Sequence, residues 1–360
     1  MAEVKVDKSK ARKVLLEAYW TKKEITDVLG TKIREVLTGG HKTYKYVLVN
    51  GLLAKATEKS VDPLSLQAQD SSAGAYDARS IAHQVLVPFE REYVPNSLGN
   101  SNEPFLNKPA RFTRLSIDNA VRKGNDRIIL EKTISILSSM KTSAKALKYL
   151  KSSLVVMEEL SKEFNKKYEI DETKICPQRS VQSILDFIFQ LTDNPCEGEI
   201  LPIIVAALEM LYLPKSFTVK AHKVNESGSS SKETGYIDIF DQKNRIITSI
   251  EVKDKNFSKE DVEHAIGKFK AVGLTRTMFV YGKNVSFDKT SVYQLAARYG
   301  RVDCYCCIIS VLDYAKLRLY NIRCTPLPAF VHLLLQTAKS INAKDTTVEW
   351  IKKNFSIVIQ

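Results

Sequence analysis

The chain has 360 residues, 44% hydrophobic and 26% charged, enough apolar material for one large domain or two intimately packed ones without disulfide or metal staples. Lysine and arginine number 54 against 41 acidic residues. A surplus of 13 suits a polyanionic partner, nucleic acid above all, although a basic surface also serves solubility alone. Met1–Lys10 is charged and lacks an apolar segment, and the longest apolar run, Ile200–Leu208, is too short to span a bilayer. Neither secretion nor a membrane span is expected, and a cytoplasmic location is.

The first 170 residues read mainly as helices. Val14, Leu15, Ala18 and Tyr19 recur at helical spacing, a second amphipathic stretch covers Ile25–Leu37, and Gly39-Gly40 ends it. Tyr46–Ala56 and Asp77–Val94 also read as helices, the latter closed by Pro95. His41 and Lys42 fit a helix start and receive no further role. From Asn96 to about Asp126 no period persists, yet Phe105, Leu106, Phe112 and Leu115 supply anchors that a disordered segment would not need. Ser101–Lys151 holds eleven lysines and arginines against four acids, over half of the chain's whole surplus. Helical spacing resumes over Ile128–Tyr168, Val181–Leu191 and Glu199–Leu213.

After Pro214 the period changes to two. Phe217–His222, Gly235–Phe240 and Ile246–Lys253 read as strands, with a loop at Asn225–Ser231 and a hairpin turn at Asp241–Asn244. A helix (Lys259–Val272), a strand (Arg276–Tyr281), a helix (Ser291–Tyr299) and a strand (Val302–Ser310) follow, and the remainder is mostly helical. The last strand carries Cys304, Cys306 and Cys307; with Cys176, Cys196 and Cys324 they make six cysteines. None lies near any of the five histidines and none has zinc-site spacing, so buried core thiols in a reducing compartment are expected.

Glu251-Val-Lys253 closes an apolar strand, so its two charged side chains project from one face while Ile250 and Val252 point to the other. Glu3-Val-Lys5 and Glu172-Thr-Lys174 share the spacing without a strand to carry it. One hairpin earlier Asp238 sits between Ile237 and Ile239, and pairing through the turn can bring it beside Glu251. Two carboxylates and a lysine there suit metal-assisted phosphodiester hydrolysis. Asp238 and Glu251 would ligate Mg2+, the Val252 carbonyl would add an oxygen, and Lys253 would orient or deprotonate the attacking water. Glu199 is the candidate fourth acid, ahead of Glu209 and Glu197; an acid at a helix start can also merely serve the dipole. Asp238, Glu251 and Lys253 could equally form a cross-strand salt bridge.

Gly235-Tyr-Ile-Asp238 followed by Ser249-Ile-Glu-Val-Lys253 resembles the P-D…(D/E)-x-K signature of restriction-endonuclease-like nucleases, with Ile237 in place of proline. Three further stretches resemble the SacI family of type II restriction endonucleases. They are His41–Asn50 through Ala54–Thr57, Tyr76–Ser80 through Val87–Arg91, and the long irregular Gly99–Phe112. The resemblance implies Mg2+-dependent cutting of both strands of double-stranded DNA at a palindromic site of the GAGCTC type. It also implies a homodimer and a methyltransferase of the same specificity as genetic partner.

The expected fold is therefore α/β. A restriction-endonuclease-like core at 171–310, a mixed sheet flanked by helices, follows a large helical recognition and dimerisation region at 1–170 and precedes C-terminal helices at 311–360. Within the basic segment Asn107, Arg111, Arg114 and Asn119 are candidates for base contacts, since arginine pairs with guanine and asparagine with adenine. Lys108, Arg122 and Lys123 are candidates for phosphate contacts. Two rivals share much of this pattern: a repair or junction-resolving nuclease on the same core, and a DNA-binding protein with a degenerate core.

Overall fold

The computed structural model describes residues 4–70, 72–106, 110–120, 124–170, 181–222, 235–301, 304–322 and 327–358, without the side chains of 356–358. The chain divides into two compact units, Met1–Lys166 and Lys167–Gln360.

In the first unit α1 (Lys8–Trp20) begins where the Asp7 carboxylate accepts the Lys10 N–H. It buries Ala11, Leu15, Ala18 and Tyr19 on one face. In α2 (Val28–Thr38) Asp27 plays the same capping part, and the missing side chain of Gly30 lets the Ile25 carbonyl pass where a β-carbon would lie 1.9 Å from it. The centre of the unit is α3 (Lys42–Thr57), buried on nearly every side and packed by α1, α6 (Asp126–Ser138) and α7 (Ser143–Lys166). The helical spacing read over Ile128–Tyr168 is divided between α6 and α7, because the chain turns at Ser139–Lys141 and the Thr142 hydroxyl accepts the Lys145 N–H at the start of α7. The helix read over Asp77–Val94 is likewise interrupted. Between α4 (Ala78–Ile81) and α5 (Val87–Tyr93) the stretch Ala82–Leu86 is π-helical, directly before Pro88, which has no N–H to continue an α-helical ladder.

The described residues after α5 include two short 3-10 turns, Pro104–Leu106 and Ile117–Asn119, and a buried carboxylate holds the start of the segment. Glu90 accepts the N–H groups of Leu98 (2.8 Å) and Asn100 (3.1 Å) and the Tyr46 hydroxyl of α3, while the same hydroxyl accepts the Ser101 N–H. Lys42 adds a bond to the Gly99 carbonyl. Backbone groups that a loop would leave unpaired are thereby satisfied at one point.

In the second unit α8 (Val181–Leu191) and α9 (Ile200–Tyr212) precede a five-stranded mixed sheet. Its strands lie in chain order: β1 (Thr218–Ala221), β2 (Ile237–Phe240), β3 (Ile246–Lys253), β4 (Arg276–Tyr281) and β5 (Tyr305–Ser310). The first three are antiparallel. The last two run parallel to β3, as the intervening helices α10 (Lys259–Ala271) and α11 (Lys289–Gly300) require. This is the mixed α/β architecture that the sequence pattern predicted. The helices α12 (Val311–Tyr320), α13 (Leu327–Ser340) and α14 (Asp345–Val358) belong to the same compact unit as the sheet, with α12 and α13 packed on α9 and α14 on α8. Cys304 and Cys306 are buried in the core that α10 and α11 form with the sheet. No helix among the described residues is long and apolar enough to cross a membrane.

Replacing Glu90 by alanine would strand several buried donors, so Glu90→Ala should cost about 3 kcal/mol of stability. Tyr46→Phe, which keeps the carboxylate, should cost about 1 kcal/mol. Urea unfolding followed by circular dichroism measures both, and equal midpoints for the two variants would refute the central part given to the carboxylate.

Candidate active site

The geometry of the site is set by an irregularity in the β2–β3 hairpin. The turn is closed by the Asp241 carboxylate, which accepts the N–H groups of Lys243 and Arg245, and Asn244 takes the left-handed conformation (φ 57°). The ladder starts with Phe240 opposite Ile246, but at the next residue Ile239 faces Thr248, so β3 has one extra residue, Ile247. Continued without the bulge, the initial register would set Asp238 against Thr248 and leave Glu251 and Lys253 on the other side of the sheet. With it, Asp238 faces Ser249, and Glu251 and Lys253 follow in steps of two on the same side. Asp238 and Glu251 are thus diagonal neighbours. Lys220 of β1 stands opposite Asp238, so the face also carries Lys220 and, in steps of two, His222 and Tyr236.

Each charged group there has identifiable partners. Asp238 is fully buried; one carboxylate oxygen accepts the Ser249 hydroxyl and the Gly235 N–H (3.2 Å), the other meets Nε2 of His222 at 2.9 Å. Gly235 cannot be larger: a β-carbon would lie 2.5 Å from the Ser249 oxygen that serves Asp238. Glu251 is 8% exposed, and its Oε1 is 3.6 Å from the Lys253 Nζ, which also lies 3.9 Å from Asp261 Oδ1 of α10. Burial pushes the Glu251 carboxyl above the ordinary glutamate range, a shift that Lys253 and Lys268 offset only in part. The Tyr236 hydroxyl is pushed up by burial and by the Glu251 charge.

At the end of β3 a cleft of about 310 Å³ opens, lined by Lys253, Asp254 and Tyr236 on one side and by Pro195, Glu197 and Leu201 on the other. Its far wall is a tight turn in which Cys196, Glu197 and Gly198 take positive φ of 48°, 56° and 90°. Two successive non-glycine residues in that region store backbone strain beside the cleft. Asp254 reaches the cleft because Gly282 has no side chain; a β-carbon there would lie 2.1 Å from its Oδ1. Burial raises its pKa too.

The other predicted acids are engaged by partners of their own, although Glu197 also lines the cleft. Glu199 is buried and accepts the Lys344 N–H (3.0 Å) and the Thr347 hydroxyl (2.6 Å), which fastens the start of α14. Glu209 is engaged by the Tyr314 hydroxyl and the Arg318 guanidinium, and Glu197 by Lys344. No group of three or more histidine, cysteine, aspartate or glutamate side chains is arranged to hold a metal ion among the described residues. A cation on Asp238 and Glu251 would therefore draw its remaining ligands from water and phosphate, as Mg2+ habitually does. The donor set suits that ion: two hard carboxylates, one of them buried with its charge only partly compensated.

Of the predicted DNA contacts, Asn107, Lys108, Arg122 and Lys123 lie outside the described residues. Arg111 is exposed and lines a cavity of about 400 Å³ with Gln67, Arg79 and Leu106. Arg114 is paired with Asp62 at 2.7 Å. Asn119 is buried, and its side-chain oxygen accepts the Ser116 N–H in a capping box. That amide is spent on local structure. His222, Ser249 and Asp254 went unnoticed in the sequence. Their signals, a histidine two residues past a lysine on one strand and an acid just past another, gain meaning only from the register.

Residues 10–161 match the SacI restriction endonuclease N-terminal domain, and residues 178–283 match the SacI restriction endonuclease C-terminal domain. The chain belongs to the SacI restriction endonuclease family. A relative, the type II restriction enzyme SacI of Streptomyces achromogenes, is 33% identical over 113 residues, covering 29% of this chain and 30% of that enzyme. The SacI C-terminal match contains Asp238, Glu251 and Lys253, and the N-terminal match contains the basic stretch with Arg111 and Arg114.

A buried acid whose folded-state pKa is raised stabilises only below its unfolded value, here 4.5, and that contribution is lost as pH rises through the raised value. Glu251→Gln removes the charged form. In chelator-treated protein the variant should melt above the parent at about pH 8, the gap closing as pH falls towards the ordinary glutamate value. Thermal melts across that range decide it; a variant melting at or below the parent at the alkaline end would mean that Glu251 is fully compensated without metal.

Proposed function

We propose that the protein is a type II restriction endonuclease that hydrolyses both strands of double-stranded DNA at a short palindromic sequence, with Asp238, Glu251 and Lys253 as its centre. The observation that carries the reading is the placement of two buried acids and a lysine on one sheet face, within the part of the chain that matches the SacI C-terminal domain. The name of the Streptomyces relative supports the same class of reaction.

Asp238 and Glu251 would hold Mg2+, which would supply Lewis acidity there and lower the pKa of water. Lys253, with its ammonium beside Glu251, orients the attacking water and stabilises negative charge growing on the phosphate. The water oxygen bonds to phosphorus, the bond to the 3′ oxygen breaks, and that oxygen takes up a proton, leaving 5′-phosphate and 3′-hydroxyl ends. Glu199 has no part in this, since both its partners are structural. Among the predicted DNA contacts that are described, Arg111 is the best suited, because it is exposed and no acidic side chain among the described residues pairs with it. A palindromic target is best read by a twofold-symmetric protein, so the working form is a homodimer. Such an enzyme works in the cytoplasm beside a methyltransferase that protects the same sequence.

Plasmid incubated with the purified protein in Mg2+ should give discrete fragments. Asp238→Ala and Lys253→Ala should each lower the rate by at least about a hundredfold. Arg111→Ala should weaken binding and, if the contact is to phosphate, reduce the salt slope by about one. A smear would favour a nuclease without sequence preference; intact plasmid in both Mg2+ and Mn2+ would leave a DNA-binding protein as the better reading.

A further inference from the structure

His222 is on no catalytic signature, yet it is the side chain that reaches the second oxygen of Asp238, at 2.9 Å. Its backbone is held in the β1–β2 ladder by the bond from its N–H to the Tyr236 carbonyl, which aims the ring along the sheet face toward Asp238. Asp238 is wholly buried and already accepts from Ser249 and Gly235 through its other oxygen. In its ionised form the carboxylate only accepts, and Nε2–H of the imidazole is then the donor. Three donors among the described residues thus fix the rotation of this carboxylate. Partners that orient a ligand in this way ordinarily alter metal affinity by about 10- to 100-fold.

We propose that His222 is a positioning residue, which holds the Asp238 carboxylate in the orientation that receives a divalent cation. The inference rests on the assignment of Asp238 as a metal ligand in the proposed nuclease. It predicts that an N–H donor, and not an imidazole as such, is what position 222 must supply.

The test uses the full chain and Mn2+ as probe, with free Mn2+ read by electron paramagnetic resonance, beside the Mg2+ dependence of plasmid cleavage. His222→Ala should weaken Mn2+ binding by about 10-fold or more and raise the Mg2+ concentration for half-maximal cleavage, with the rate largely restored at saturating Mg2+. His222→Gln, whose amide can still donate, should stay within about threefold of the parent, and urea midpoints show whether either variant is simply unfolded. Unchanged Mn2+ affinity in His222→Ala overturns the proposal, as does equal loss in both variants or a parent that binds no Mn2+. Tighter binding in His222→Ala also overturns it, because the imidazole would then be competing with the cation. If Mn2+ binding falls as expected but the parent cuts no DNA, the positioning role stands and the nuclease reading fails. If the parent cuts DNA and His222→Ala binds Mn2+ unchanged, the nuclease reading survives and the positioning role fails.

Discussion

One extra residue in β3 decides which side chains of the second unit meet. Ladder parity is a binary property: shift the pairing by one and every side chain beyond the shift changes face. Between Phe240–Ile246 and Ile239–Thr248 the hairpin makes that shift, with Ile247 as the surplus residue. Because of it Asp238, Ser249, Glu251 and Lys253 lie together, on the face to which the separate β1–β2 register brings Lys220 and His222. The cost of burying Asp238 is offset by donors from three places: the loop before β2, the end of β1 and the middle of β3. Of those donors, the Ser249 hydroxyl would face away in the unshifted register, because it alone comes from β3.

That constraint explains what the sequence revealed and what it hid. Residues two apart on a strand share a face whatever the strand pairs with, so Glu251 and Lys253 could be placed together from spacing alone. The helix and strand order of the second unit was legible for a similar reason, since periods of 3.6 and 2 are local properties. Whether Asp238 joined them depended on a bulge that no local pattern announces. His222 was hidden because its place beside Asp238 depends on the β1–β2 register, and Asp254 because it lies just past the end of β3. The break at Ser139–Lys141 was missed because the apolar period runs on through a short interruption. In the first unit Phe105 and Leu115 are buried anchors of the irregular segment while Leu106 is exposed, and the carboxylate that holds its start, Glu90, contributes nothing to any periodic pattern.

Asn119 and Arg111 show how far residue type alone can lead. Both belong to types that read bases, and both fall in the basic stretch. Asn119 spends its side-chain oxygen on the Ser116 N–H and is buried, whereas Arg111 is exposed beside Gln67 and Arg79. Arg114 falls between them, partly exposed but bound to Asp62. A polar side chain that completes a turn cannot also be a free reader of an outside surface, and the turn is what keeps the neighbouring residues in place.

The same reasoning separates the buried acids of the second unit, and it runs through compensation. Glu209 has a guanidinium at 2.7 Å together with a tyrosine hydroxyl, a closed arrangement in which the charge is fully occupied. Glu199 has a backbone N–H and a threonine hydroxyl at the head of α14, a cap that serves the helix. Glu251 has a flexible ammonium at 3.6 Å, divided between it and Asp261, and burial has raised its pKa. A fold selected for stability alone would gain from replacing Glu251 by an uncharged residue of similar size. Retaining an incompletely paired carboxylate beside a lysine, on a face that a bulge has specially assembled, makes sense where a cation completes the pairing.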